Sequence, residues 1–299
     1  MKILVIGGTV FASRCTAEFF IGKEHEVYVL NRGSMPQPTG AKHIKADRYD
    51  IGDALKGYEF DAVIAVSLYD EKDTSSLISA LGNIKNFIFI SSSAVYPETL
   101  AQPFKESQSC GRNKYWGDYG TNKIAAEKLV LSAFPQAYII RPPYLCGKKN
   151  NLYREAFVFE CAENNRPFYI PKDGNLRLQF FDIEDMCRFA ERLIEKQPSQ
   201  HIFNVGYPDT ITAKEWVTLC YGVLNKSPEL IYISRDINQR EYFPFLDYEY
   251  RLDVTEMLKL MPDLKPLEQS LSESYEWYRN NREFIRRKPL IEFIDTKLR

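Results

Sequence analysis

The chain opens Met1-Lys2-Ile3-Leu4-Val5-Ile6-Gly7-Gly8-Thr9-Val10-Phe11-Ala12-Ser13-Arg14. Ile3 to Ile6 is an unbroken apolar run. That is the pattern of a strand buried on both faces of a parallel sheet, not of one alternating between core and water. Gly7 and Gly8 end the run abruptly, and glycine there permits a tight turn and a close approach of backbone to a pyrophosphate. A helix is expected from about Phe11 through Ala17, Phe19 and Phe20, with its N-terminal amides aimed at the phosphates. After the polar break Gly22-Lys23-Glu24-His25-Glu26 comes a second apolar strand, Val27 to Leu30. Strand, glycine turn, helix and strand within about 30 residues are the context a dinucleotide fingerprint requires.

Further apolar runs follow at 62–66, 87–90 and 137–140, alternating with helical segments. The alternation predicts an α/β fold, a Rossmann-type doubly wound parallel sheet, with a smaller C-terminal substrate lobe. The nucleotide-binding part is expected to comprise 1–147 and 180–206, and the lobe 148–179 and 207–299. The first lobe helix is read at Glu155 to Ala162. Tyr153, Phe157 and Phe168 are candidates for a pocket wall, with core packing the better reading of each alone. Residues 33–43 read as a surface loop. The long irregular stretch 97–118 is placed over the reacting end of the cofactor, because loops of that length are often functional.

Tyr119 and Lys123 stand four residues apart, near one helical turn, so the phenol and the ammonium share a helix face. A neighbouring cation favours phenolate and lowers a tyrosine pKa from its usual value of about 10. Such a tyrosine can move a proton on a substrate hydroxyl while a cofactor takes the hydride. Upstream lies the serine run Ser91-Ser92-Ser93.

Gly7-Gly8-Thr9, the serine run, Tyr119 and Lys123 together resemble the extended short-chain dehydrogenase/reductases, the NAD-dependent epimerase/dehydratase family. Phe87 to Tyr96 resembles the strand that delivers the family's catalytic Ser or Thr, and the register assigns that role to Ser92, with Ser93 as a substitute. Asp47 resembles the adenine-contacting aspartate. Ser67, in the stretch after the third apolar run, and Arg141, in Arg141-Pro142-Pro143-Tyr144-Leu145-Cys146-Gly147, resemble cofactor-side positions. Phe180 to Asp185, Phe203 to Gly206 and Tyr275 to Tyr278 resemble later blocks. The resemblance implies Tyr119 as general acid/base and Lys123 as the residue that lowers its pKa and holds the nicotinamide ribose. It implies Ser92 as orienter of the substrate oxygen, and Gly7, Gly8, Thr9 and Phe11 as the phosphate turn. The implied cofactor is NAD or NADP.

The departures from the pattern are as specific as the matches. Val10 and Ser13 stand where the family has its second and third glycines, which predicts a wider or shifted loop. Asn31-Arg32 stands where NAD-preferring members carry an acid. Asparagine does not repel a 2'-phosphate and Arg32 can grip one, which tilts the reading toward NADP; the alternative is an ordinary exposed loop cation. Leu178 occupies the place of a sugar-diphosphate arginine, with Arg177 one residue off and hence on the opposite strand face unless a bulge restores it. Ala65-Val66-Ser67-Leu68 replaces a His-x-Ala-Ala stretch, and Ser93-Ala94 replaces the acid pair of sugar 4,6-dehydratases. The substrate expected from the resemblance is a sugar or nucleotide-sugar. Two alternatives stand beside it: a simple NADPH-dependent carbonyl reductase, and a non-catalytic nucleotide-, RNA- or partner-binding protein on the same fold.

Composition is that of an ordinary globular protein, 44% apolar and 26% charged with a net charge of −1, so no global field recruits nucleic acid. The C-terminal residues Arg279, Arg282, Arg286, Arg287 and Lys288 are locally basic, and read as a solvated face. Six cysteines without a Cys-x-x-Cys pair, and three scattered histidines, predict no metal site and a reducing, cytoplasmic setting. No apolar stretch reaches the roughly 18 residues of a membrane span, and the first run is too short for a signal peptide. A homodimer is expected through helices at about 75–81 (Leu77, Ile78, Leu81) and 119–132 (Ile124, Leu129, Leu131), since their apolar positions cover more than one stripe.

Overall fold

The computed structural model describes residues 1–299. In the first half of the chain β1 (Lys2–Ile6), α1 (Phe11–Gly22), β2 (Glu26–Asn31), β3 (Lys42–Lys45), β4 (Ala62–Ala65), α2 (Glu71–Ala80), β5 (Asn86–Ile90), α3 (Asp118–Ala133) and β6 (Tyr138–Arg141) succeed one another. The second half holds β7 (Tyr144–Cys146), α4 (Glu155–Glu163), β8 (Phe168–Pro171), β9 (Arg177–Leu178), β10 (Phe180–Asp182), α5 (Ile183–Lys196), β11 (Ile202–Asn204), β12 (Ile211–Thr212), α6 (Ala213–Gly222), β13 (Leu230–Ile233), α7 (Thr255–Leu260), α8 (Leu267–Arg279) and α9 (Leu290–Phe293). Seven strands form one parallel sheet in the order β11-β6-β5-β4-β1-β2-β3. The order in which successive strands are added to the sheet switches sides between β1 and β4. In open parallel sheets the crevice beyond the carboxyl ends at that point is where ligands bind.

Both faces of the sheet are covered, which explains the unbroken apolar runs. Ile3 and Val5 pack with Ala17 and Phe20 on one face, and Leu4 and Ile6 with Leu77 and Val130 on the other. The first of these cores continues without a break into the C-terminal residues Phe180, Trp216 and Phe245, so the lobe has no separate core.

The structure corrects several boundaries. β3 overlaps the end of the loop expected at 33–43 and was not foreseen, because its only buried residue, Ile44, gives an edge strand no apolar run. α2 begins at Glu71 rather than Ser75, held by a capping box in which Asp70 and Asp73 accept each other's backbone amides. Of the dimer candidates, Leu77 is fully buried inside its own subunit and offers nothing to a partner. Ile78, Leu81, Ile124, Leu129 and Leu131 are half-buried. No helix is long and apolar enough to cross a membrane.

Candidate active site

A cleft of about 930 Å³ runs over the carboxyl ends of the sheet. At one end are Asn31, Arg32 and Asp47; in the middle Gly7, Thr9, Val10, Phe11 and Ser67; at the other end Ser92, Tyr119 and Lys123. The sheet topology thus brings together eleven residues, ten of them nominated as site residues from the sequence, that the chain scatters between positions 7 and 123. Gly8 and Arg141 do not join them. Gly8 is buried in the turn, where an added Cβ would lie 2.5 Å from Val29.

Arg141 corrects a sequence expectation. It is 3% exposed and bonded to Glu127 through Nε at 3.0 Å and Nη2 at 2.6 Å. Its Nη1 donates to the Tyr96 hydroxyl at 2.8 Å. It is consumed in a buried network, not offered to a cofactor. Glu127 carries the same lesson, since it is 4% exposed and accepts from Ser91 Oγ at 2.5 Å.

The turn after β1 is tight despite the lost glycines. Gly7 has φ +107°, and an added Cβ would fall 2.5 Å from Ser67 Oγ and 2.9 Å from Ser13 Cβ. The missing Gly7 side chain makes the room that Ser13 occupies. Ser13 is itself tied down, with Oγ donating to Val10 O at 3.0 Å. Phe11, lining the cleft, has φ +33°, a strained value for a bulky residue at a helix start. α1 has no side-chain cap and no acid in its first turn, so its leading amides carry no protein anion. These features fit the diphosphate of a dinucleotide.

At the adenosine end, Asn31 is committed to the loop. Its Nδ2 donates to Gly7 O at 2.7 Å, and its Oδ1 accepts from Gly33 N at 2.9 Å. Arg32 is exposed on the cleft wall. Sequence reading passed over Arg48, whose guanidinium lies 4.9 Å from the Tyr49 ring and 4.8 Å from the Tyr69 ring, on the same wall.

At the reacting end, Ser92 caps the short turn 93–95 that follows β5, with Oγ accepting from Ala94 N at 3.2 Å. α3 packs directly on that turn at Gly120, where any Cβ would collide with Ala94 O. This close approach sets Tyr119 beside Ser92. The Tyr119 residue is 39% exposed, but its hydroxyl end is enclosed in the cleft. Burial raises the phenol pKa, against the pull of a hydrogen bond with Ser92. Lys123 is 2% exposed, with Nζ donating to Leu68 O at 2.6 Å and Ile90 O at 2.9 Å. Its ammonium lies 5.3 Å from the Tyr69 ring and 4.7 Å from the Phe89 ring. Burial pushes its pKa down to about 7, with Asp73 and Glu127 opposing. The expectation that Lys123 lowers the tyrosine pKa is therefore not met here. The ammonium is spent on two carbonyls, and desolvation governs both groups.

Residues 3–206 match the NAD dependent epimerase/dehydratase family. The chain belongs to that family. It is accordingly an NAD(P)-dependent enzyme of the epimerase/dehydratase type. Among curated relatives, the chloroplast stem-loop binding protein of 41 kDa b from Arabidopsis thaliana is 25% identical over 301 residues, 92% of this chain and 78% of the relative. The fold matches the Bordetella bronchiseptica enzyme WbmH in complex with NAD+, with a TM-score of 0.75 at 15% identity, covering 94% of this chain and 99% of that one. It also matches UDP-glucose 4-epimerase with UDP-glucose from Thermotoga maritima, with a TM-score of 0.77 at 18% identity over 94% and 100% of the two chains.

Toward the lobe the cleft adjoins a second cavity of about 370 Å³, lined by Tyr153, one of the expected pocket-wall residues, and otherwise by residues that the sequence did not nominate as pocket walls. The basic C-terminal stretch divides there. Arg279 pairs with Glu276, Arg282 with Glu163 and Arg287 with Glu160. Arg286 and Lys288 instead line the cavity. The cause is local backbone: Arg286 N donates to Asn151 O at 2.9 Å in an extended bridge, so alternate residues face opposite ways. Both remain solvent-exposed, as expected of a solvated face, but they face this cavity and not a carboxylate.

Proposed function

We propose that the chain is an NAD(P)-dependent oxidoreductase or isomerase acting at a carbinol or carbonyl carbon of a sugar or nucleotide-sugar, with NADP favoured. The observation that carries the reading is the meeting of Ser92, Tyr119 and Lys123 at the end of a cleft whose middle is an uncapped helix start over Gly7. The cofactor, when bound, supplies or accepts the hydride. Gly7, Thr9, Val10 and Phe11 would hold its phosphates, and Arg32 its 2'-phosphate. Tyr119, whose raised pKa keeps it protonated at neutral pH, is the proton donor to a substrate carbonyl oxygen and takes the proton back in the reverse direction. Ser92 orients that oxygen. Lys123, with a pKa of about 7, exchanges charge readily and is placed to bond a ribose once it leaves its two carbonyls.

The sugar substrate is supported by the family and by the fold's likeness to an enzyme that holds UDP-glucose. The test is direct. Purified protein is denatured and the supernatant examined for NAD(P)(H), and the protein is titrated with NADPH and NADH. Retained or titratable dinucleotide is the expected result; none on either measure sinks the reading.

One observation favours a second reading, an RNA binder: the likeness to the stem-loop binding protein over 92% of this chain. Saturable stem-loop RNA binding without dinucleotide binding would select it. A homodimer through the half-buried residues of α2 and α3 is part of the first reading. Light scattering is expected to give about twice the 34.8 kDa chain mass, and Leu131→Lys to reduce it. A monomer at micromolar concentration removes the interface.

A further inference from the structure

The second cavity holds four cations, Arg154, Arg240, Arg286 and Lys288, and no carboxylate lines it. Arg154 and Arg286 also line the large cleft, so they stand at the junction, with Arg240 and Lys288 beyond them. None of the four has a carboxylate partner. Arg154 lies 4.9 Å from the Tyr144 ring, and Arg240 donates to Pro244 O. Two carboxyls come near. Glu155, wholly buried, has a pKa raised by desolvation to about 7 and so is only partly ionised at neutral pH, while Glu283 lies on the wall of the large cleft. The cations instead act on one another, Arg154 and Arg240 lowering the pKa of Lys288 after burial itself. Like charges held together repel one another, and an anion that joins them relieves the repulsion.

A second, independent sign is the Tyr144 hydroxyl. Tyr144 is 5% exposed, lines both cavities, and has no hydrogen-bond partner for its Oη. A buried hydroxyl left without a partner is rare, and in a cavity wall it is a donor waiting for a ligand acceptor. Tyr115 and Trp116 add flat aromatic surface to the same cavity.

We propose that this cavity is a polyanion subsite, and that the substrate is a nucleotide carrying at least three negative charges, more than a nucleoside diphosphate joined to a neutral sugar brings. A pyrophosphate diester supplies about one charge per phosphate, enough for the junction pair Arg154 and Arg286 with Tyr144. Arg240 and Lys288 then require a further phosphate or carboxylate. The inference rests on the nucleotide reading of the substrate above. Its source of extra charge is either a third phosphate or an acidic sugar.

The full chain is titrated calorimetrically with inorganic pyrophosphate and tripolyphosphate, and then with UDP-glucose, UDP-glucuronic acid and UTP. Tripolyphosphate is expected to bind about tenfold tighter than pyrophosphate, the size of one charge-assisted contact. The double variant Arg240→Gln/Lys288→Gln is expected to lose that preference while keeping its far-UV spectrum and its NADPH titration. UTP or UDP-glucuronic acid should bind more tightly than UDP-glucose, and whichever leads identifies the source. Equal affinity for the two inorganic anions, or an unchanged preference in the double variant, overturns the subsite. Protein that shows the Arg240-dependent preference but binds no dinucleotide would keep the subsite and discard the oxidoreductase reading.

Discussion

The two ends of the cleft are built by different means. At the sheet end, short side chains and backbone set the geometry: Gly7 makes room for Ser13, Gly120 admits the carbonyl of Ala94, and Ser92 caps the turn beside Tyr119. At the lobe end, long cationic side chains from residues 154, 240, 286 and 288 converge from segments far apart in the chain. The first design depends on close approach and tolerates little change, because interiors are packed to crystal-like density. The second depends on charge, and its members are half-buried or exposed. Substitutions at the close-packed glycines of the sheet end should therefore damage chemistry and fold together, and those at the lobe end binding alone.

The largest expected effect is at Tyr119. Tyr119→Phe should keep fold and NADPH affinity while turnover falls by about 10² to 10⁴, the range of a general acid/base contribution. Normal turnover by the variant would leave the sheet end without its proton donor.

Gly120→Ala should come next. The methyl group must push α3 away from Ala94, at a cost of about 1–3 kcal/mol for overpacking, read as a lower denaturation midpoint together with lost activity. An unchanged midpoint would mean that the sheet end is looser than its geometry implies.

Arg32→Ala is expected to erase most of the preference for NADPH over NADH. One charge-assisted bidentate contact is worth roughly 1.5–3 kcal/mol, or about tenfold to a hundredfold in affinity. Equal affinities in the unmodified protein would make Arg32 an ordinary loop cation.

The smallest effect concerns Lys123. Its folded pKa, about 7, lies below the ordinary lysine value, so between these values the unfolded chain binds more protons and stability rises with pH. Below about pH 7 the folded protein carries the full penalty of a buried ammonium. Lys123→Met should flatten the rise in melting temperature from pH 7 to 9. Its net gain at pH 6 should be small, because Leu68 O and Ile90 O lose their donor. A slope identical to that of the unmodified protein would place its origin elsewhere.

Much of the fold and half of the site were legible in the chain. Ile3 to Ile6 and Phe87 to Ile90 announced buried strands because both sheet faces are covered, and Tyr119 to Lys123 announced a helix face because spacing alone sets it. β3 was not legible, since an edge strand with one buried residue has no apolar run. Arg141 misled because ion-pair burial leaves no mark in sequence: an arginine at a strand end reads the same whether it meets a ligand or the Glu127 carboxylate.

What the sequence determined by itself is therefore local: strand burial, the glycine turn, the tyrosine–lysine face and the family pattern, all carried by residues within a few positions of one another. Only the tertiary structure decided that Lys123 is desolvated rather than paired with the phenol, and that Gly8 and Arg141 serve packing. It alone turned Arg286 and Lys288 into a cavity wall with Arg154 and Arg240. The reason is physical. Hydrophobic period and turn chemistry act over a few residues, whereas desolvation and charge meet through space, and spatial neighbours more than a hundred positions apart share no sequence signal.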